Sequence, residues 1–243
     1  MALIYSAILI WFYMTVWYLL SILKKRNDIA DTAWGLGFIL IAIFNLILNL
    51  NLKLSISFLL ISVWGIRLAN HIHNRNKNKK EDYRYENFKS NPYFKVFITQ
   101  GFFMWLICWP LFWSDQKINI FNLIGILIWI IGFYFESTAD KQLKEFIKNP
   151  NNKGKIMQSG LWAYSRHPNY FGEVTMWWGI WLLNMNNNWW TVFGPLTITF
   201  LILFVSGIPL LEKKYKGNKE FEKYKLKTSI FFPIPFKKGG ESV

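Results

Sequence analysis

The sequence predicts an all-α integral membrane protein with about seven transmembrane helices, the N-terminus outside and the C-terminus cytoplasmic. Three observations carry that prediction. Apolar residues make up 53% of the 243 and aromatics 19%, against 17% charged, too little polarity to cover a soluble surface. Uncharged runs recur at Met1–Leu23, Thr32–Leu52, Leu54–Ile66, Val96–Ser114, Ile118–Phe135 and Val174–Leu211. The basic residues, finally, fall almost wholly on alternate connections.

The opening "MALIYSAILIWFYMTVWYLLSILKKR" has its basic residues after the apolar run. With no basic n-region and no small-residue cleavage site, it reads as a retained helix over 3–23 and not as a signal peptide. Further helices are expected near 32–50, 54–72, 95–113 and 118–138, most of them close to the roughly 20 residues that cross a bilayer at about 1.5 Å per residue. The polar break "NMNNN", 184–188, divides the last run into segments at 171–185 and 189–210. The first of these is marginal in length, and a re-entrant segment is the alternative. An outside N-terminus puts 24–31, 67–95, 139–172 and 212–243 on the inner side. These stretches hold 3, 8, 6 and 9 Lys and Arg residues, 26 of the chain's 28, leaving Lys53 and Lys117 outside. That asymmetry favours seven spans, because a re-entrant sixth would carry the basic tail outside.

The formal charge of +14 is thereby assigned to membrane-facing loops. Clusters such as "NRNKNKK" suit anionic headgroups or a phosphorylated cofactor better than nucleic acid. The expected partners are membrane lipid and a hydrophobic small molecule, with no obligate protein partner. The single cysteine, Cys108, lies in an apolar run and excludes an internal disulfide framework and a cysteine-only metal cluster. With no short-period repeat and no long linker, 1–243 reads as one transmembrane domain.

Polar constellations gather on the inner side. Asp31 opens the second helix in "DTAWGLGF", where Asp31 or Thr32 caps it or Asp31 faces a cavity as a proton donor or orienting group. Arg67 and His71, four apart, share a face of the third helix. With His73 they fall short of a metal-ligand set, there is no H-E-x-x-H, and no metal site is expected. "EDYRYENF", 81–88, either braces its loop through ion pairs or closes it over a ligand. Glu136, Asp140 and Lys144 recur every four residues, and the two carboxylates are expected to face an interior polar site.

The densest stretch is "SGLWAYSRHPNYFGEV". Gly160 suits a close approach, and Pro168 can start a helix. Arg166 has the planar donor fork suited to phosphate, and His167 can donate as well. Asn169 offers donor and acceptor, Tyr170 can stack or donate, and Glu173 enters the membrane in need of a partner in space.

"GLWAYSRHPNYFGE" closely resembles the C-terminal signature of the DUF1295 membrane proteins and the steroid 5-alpha-reductase group. More distantly it is similar to the sterol reductases and the isoprenylcysteine carboxyl methyltransferases. The resemblance extends through "DTAWGLGF", "EDYRY", "ESTADKQLKEF" and "SGIPLLEKKYKGNKEFEKYKLKTSIFFPIPF". It implies that 114–243 is a cofactor-binding half surrounding NADPH. Asp140, with Glu136, would hold the polar end of the cofactor. Tyr164, Arg166, His167, Asn169, Tyr170 and Glu173 would lie along its cleft, and Glu212 and Tyr224 would close the pocket. The steroid reductases resemble one another in a glutamine–glutamate pair and a tyrosine that polarise the enone carbonyl. Here "IADTAWG" and "VWGIRLANH" stand in the matching region, with Asp31 in place of the glutamate.

The leading expectation is an NADPH-dependent reductase of a lipid-like conjugated carbonyl, steroid-like or isoprenoid, acting on a CH–CH group. Hydride reaches the beta carbon, and a donor must meet the growing oxyanion. Asp31, protonated by partial burial, is the first candidate donor, with Tyr85 and His71 after it. One alternative is an S-adenosylmethionine-dependent membrane methyltransferase using the same basic rim. Another is a non-catalytic lipid-binding protein. A soluble dinucleotide fold is excluded, since no Gly-rich strand–helix turn is present.

Overall fold

The computed structural model describes residues 2–77, 79–186 and 188–235. The described residues are helical almost throughout. The chain divides into two compact units, Met1–Gly125 with Ile180–Ile198, and Ile126–Gly179 with Thr199–Val243.

Helix α1, Ala2–Lys24, is followed by α2, Ile29–Leu48, and α3, Leu52–Asn76. α2 begins three residues before the expected start. Asp28 takes the N-cap position but does not cap with its side chain, so neither Asp31 nor Thr32 is the cap. At α3 the Asn51 side chain does cap, accepting from Leu54 N at 2.9 Å. α2 and α3 approach backbone to backbone. A Cβ on Gly35 would lie 2.7 Å from the Gly65 carbonyl oxygen, and only glycine fits at that spacing. Beside it Phe38 and Trp64 pack edge to face at 5.4 Å, and both are almost fully buried.

The expected fourth helix is shorter than 95–113. A π-helical turn, Tyr93–Ile98, runs into α4, Thr99–Ile107, and a 3₁₀ turn over Trp109–Trp113 follows. Pro110 has no N–H to continue an α ladder, which accounts for the stop. On the far side of this unit, the buried Lys53 ammonium forms an ion pair with Asp115.

α5, Ile120–Lys148, runs ten residues past the expected end. α6, Pro168–Asn184, starts at the proline, whose fixed φ is compatible with a first helical position. The last apolar segment, Trp189–Lys213, is broken along its length. A 3₁₀ turn leads into α7, Phe193–Phe200, then a π turn, Leu201–Val205, and then α8, Ile208–Lys213. A basic helix that the sequence reading did not resolve, α9, Lys219–Lys227, buries Phe221 and Tyr224.

Among the described residues, five segments are long and apolar enough to cross a membrane: α1, α2, α3, α5 and Trp189–Lys213. Their outward faces carry large apolar side chains such as Ile8, Phe12, Ile47 and Leu127, each more than half exposed. Such surface is stable against hydrocarbon and unstable against water. The protein is an integral, multi-pass membrane protein. The expected fourth and sixth segments form helices of 15 residues, Tyr93–Ile107, and 17 residues, α6.

Candidate functional site

Two polar clusters stand at helix ends, one in each unit. In the first, α2 presents Asp31 in its first turn, where the unpaired amides favour a carboxylate. The connection after α3 forms a 3₁₀ turn, Tyr83–Phe88, nucleated by Asp82, whose Oδ1 accepts from Arg84 N at 3.0 Å. This turn delivers two side chains onto Asp31. The Tyr85 hydroxyl donates to Oδ1 at 2.5 Å, and Arg84 Nη2 donates to Oδ2 at 2.6 Å. Arg84 Nη2 also donates to Asp82 Oδ2 at 2.9 Å.

Gln100 completes the group. Its Nε2 donates to the Tyr85 oxygen at 3.3 Å, the sense required once the single tyrosine proton is directed at Asp31. Tyr85 is buried. Among the described residues, Gln100 Oε1 and Arg84 Nε are buried without a hydrogen-bond partner. Burial, and then the negative charge of Asp31, hold the Tyr85 hydroxyl well above its ordinary pKa, so it keeps its proton. Burial opposes the charge on Arg84, but Asp31 and Asp82 outweigh it and the guanidinium stays protonated. For Asp82 burial pushes upward, yet the bonds from Arg84 prevail and the carboxyl falls below its usual value.

A second tier braces the same loop. Arg26 forks onto the buried Asp28, Nε to Oδ1 at 2.9 Å and Nη2 to Oδ2 at 2.7 Å. Asp28 Oδ2 also accepts from Asp82 N at 3.2 Å, and Glu81 Oε1 accepts from Asn27 N at 2.5 Å. "EDYRYENF" therefore braces its loop through ion pairs. Both oxygens of Asp31 accept, Oδ1 from Tyr85 and Oδ2 from Arg84. The proton available in this cluster is that of Tyr85. His71 lies half-buried on α3, one turn after Arg67.

In the second unit α5 and α6 meet glycine to glycine. A Cβ on Gly132 would fall 2.6 Å from the Gly172 carbonyl oxygen. Glu136 and Asp140 are buried one and two turns further along α5. Asn169, in the first turn of α6, donates through Nδ2 to Asp140 Oδ1 at 3.2 Å, while its own Oδ1 is buried with no hydrogen-bond partner among the described residues. Glu173 follows one turn later, half-buried. Trp162 donates through Nε1 to Ala139 O at 3.1 Å, pinning the "GLWA" turn to α5. Gly160 sits at φ +63° against the Gln142 side chain, which accepts from Leu161 N at 3.0 Å.

The Arg166 fork is engaged inside the chain, with Nε donating to Glu212 Oε1 at 2.8 Å and Nη1 to Thr228 O at 2.8 Å. His167 Nε2 lies 3.1 Å from the same Glu212 oxygen, and Tyr170 stacks on the imidazole at 5.8 Å. Arg166 N donates to Ser229 O at 2.8 Å, and Ser165 Oγ to Phe231 O at 2.8 Å. The Tyr224 hydroxyl donates to Trp162 O. Arg166, Glu212 and Tyr224 thus fasten α8, α9 and the tail to the "YSRH" turn. Tyr164, by contrast, is 44% exposed. Sequence reasoning missed Gln100 and the fastening residues Ser165 and Thr228. Gln100 had a signal, a lone amide within the apolar "FITQGFFMW"; the backbone acceptors of the tail had none.

The chain is 29% identical over 128 residues to 3-oxo-5-alpha-steroid 4-dehydrogenase 1 of Macaca fascicularis, covering 53% of this chain and 46% of that protein. Against the Homo sapiens protein of the same name it is 31% identical over 114 residues, 47% of this chain and 42% of the relative. A Probable O-methyltransferase ustE of Ustilaginoidea virens is 39% identical over 64 residues, 26% and 22% of the two chains. The alignments thus span less than half the length of these relatives. Residues 17–228, covering both clusters, match the family described as "Protein of unknown function (DUF1295)", and the chain belongs to that family, with homology to steroid 5-alpha-reductase-like proteins.

Proposed function

We propose that the protein is a membrane-embedded, NADPH-dependent reductase of a lipid-like conjugated carbonyl. One observation carries this reading: the buried Tyr85 hydroxyl is held between Asp31 and Gln100, a proton donor of raised pKa backed by a carboxylate. The names of the steroid dehydrogenase relatives point the same way. When bound, NADPH would supply the hydride for the beta carbon. Charge would then grow on the carbonyl oxygen, and Tyr85 would donate to it once its single proton turns from Asp31 to the substrate, with Asp31 and Gln100 positioning the hydroxyl and Arg84 balancing Asp31. Asn169 and Asp140 fit a cofactor's donor-bearing groups, because the orphaned Asn169 Oδ1 asks for an N–H or O–H. Arg166 does not fit a phosphate-binding role, since Glu212 and Thr228 take its donors.

The same reading includes seven spans with the C-terminus cytoplasmic, and 114–243 as the cofactor half. A methyltransferase using S-adenosylmethionine is the second reading. It is favoured by the similarity to the O-methyltransferase and by the engagement of Arg166, which removes one argument for a phosphorylated cofactor. Tyr85 beside Asp31 speaks against a purely lipid-binding role.

Thermal unfolding of the detergent-purified protein with NADPH, NADP⁺, NADH and S-adenosylmethionine separates these readings, since a ligand bound only to the folded state raises its stability. NADPH is expected to stabilise selectively, with the effect lost in Asn169→Ala. Tyr85→Phe should keep that stabilisation and lose about 10²-fold or more in enone reduction. Stabilisation by S-adenosylmethionine alone would hand the site to the methyltransferase.

A further inference from the structure

A separate cavity of about 220 Å³ opens at the charged ends of α1 and α3, lined among others by Lys24, Arg26, Asp28, Thr32, His73 and Lys77. Arg26 and Asp28 neutralise each other through their two-point pair. The remaining charge is that of Lys24 and Lys77, both exposed, and among the described residues neither ammonium has a partner. The Thr32 hydroxyl and the His73 ring add two further donors. Unpaired cations at the ends of two helices also sit beside the partial negative charge of the last carbonyls. Arg26 meets part of that charge by donating to Asn76 O at 3.4 Å and Lys79 O at 3.1 Å.

The cavity is not purely polar in its setting. Immediately before Lys24, Ile22 and Leu23 are 54% and 78% exposed on the apolar helix. A ligand that places an anion among the lysines and apolar chains along α1 satisfies both surfaces. We propose that this cavity binds the phosphate-bearing headgroup of an anionic membrane lipid. The occupant sits one residue pair from the first cluster, because Asp28 holds Asp82 N, and Asp82 holds Arg84. Binding therefore damps opening of the 79–88 loop. The binding claim stands independently of the reductase reading.

The test uses the full chain in detergent, with thermal unfolding followed against phosphatidic acid, phosphatidylcholine of the same acyl chains, and inorganic phosphate. Phosphatidic acid is expected to stabilise, phosphatidylcholine and inorganic phosphate not. Lys24→Gln with Lys77→Gln, both at exposed unpartnered positions, should weaken the phosphatidic acid effect about 25-fold in midpoint concentration, about fivefold per lysine. Lys153→Gln with Lys155→Gln makes the same charge change elsewhere and should leave it intact. Equal loss in both double variants, or no loss in the first, overturns the site. Full protection by inorganic phosphate assigns the cavity to a free anion and overturns the lipid. Hydrogen exchange at the Asp82 amide should slow with phosphatidic acid, and unchanged exchange in the lipid-bound protein overturns the coupling.

Discussion

Arg166 illustrates how one side chain can carry two incompatible roles until its partners are known. A guanidinium fork next to "HPNY" suits a phosphate, but here its donors reach Glu212 and Thr228, and its backbone N–H reaches Ser229. Removing it leaves Glu212 with a charge in a poorly solvated place, a change that costs about 3 kcal/mol or more. Arg166→Ala is therefore expected to lower the unfolding temperature by several degrees with no ligand present, and to expose the tail to proteolysis. A variant of unchanged stability that loses cofactor affinity would restore the phosphate role. Asp82 offers a second residue-scale prediction. Its folded pKa is depressed, so its contribution is present above the unfolded value near 3.9 and is lost as pH falls through the lower folded value. The 79–88 amides should stay protected from exchange at pH 5 and lose protection below about pH 4. Loss already at pH 6 would mean that a different group holds the loop.

The elements were legible to different degrees, for reasons tied to what each one buries. α1, α2, α3 and α5 appear where uncharged runs lie, because hydropathy alone decides whether a segment can enter hydrocarbon. Their ends were less legible. α5 continues ten residues past its expected end because Ala139, with Met157 and Trp162, forms a small core that a polar stretch does not advertise. α9 was hidden for the same reason: two buried aromatics, Phe221 and Tyr224, hold an otherwise charged helix. The first cluster was half visible, as Asp31 and Tyr85 stood out by type, whereas their contact depends on a turn that no period marks. The α5–α6 crossing rests on glycine, and Gly132→Ala puts a methyl 2.6 Å from a backbone oxygen that cannot move cheaply. It should destabilise by about 1–3 kcal/mol. Ile131→Ala, on the exposed face next to it, should change little, and equal effects would show that the close approach does not matter.

At the scale of the whole chain, the distribution of charge and the number of crossings are one question. With the N-terminus outside and seven crossings, 26 of 28 basic residues share a side; a re-entrant α6 would leave the nine of the tail opposite the rest. α6 has 17 residues, about 25 Å of helix at 1.5 Å per residue, which reaches across a bilayer core thinned by a few ångströms. Single cysteines decide the matter once the buried native thiol is removed by Cys108→Ala. In intact cells a membrane-impermeant maleimide should label Lys117→Cys directly. It should reach Asn151→Cys and Lys223→Cys only after permeabilisation. Labelling of Lys223→Cys from outside, with Asn151→Cys still protected, would make α6 re-entrant and put the basic tail against the charge rule. That outcome would also put the tail and the "YSRH" turn on opposite sides, against the bonds from Arg166 to Glu212 and Thr228 that join them.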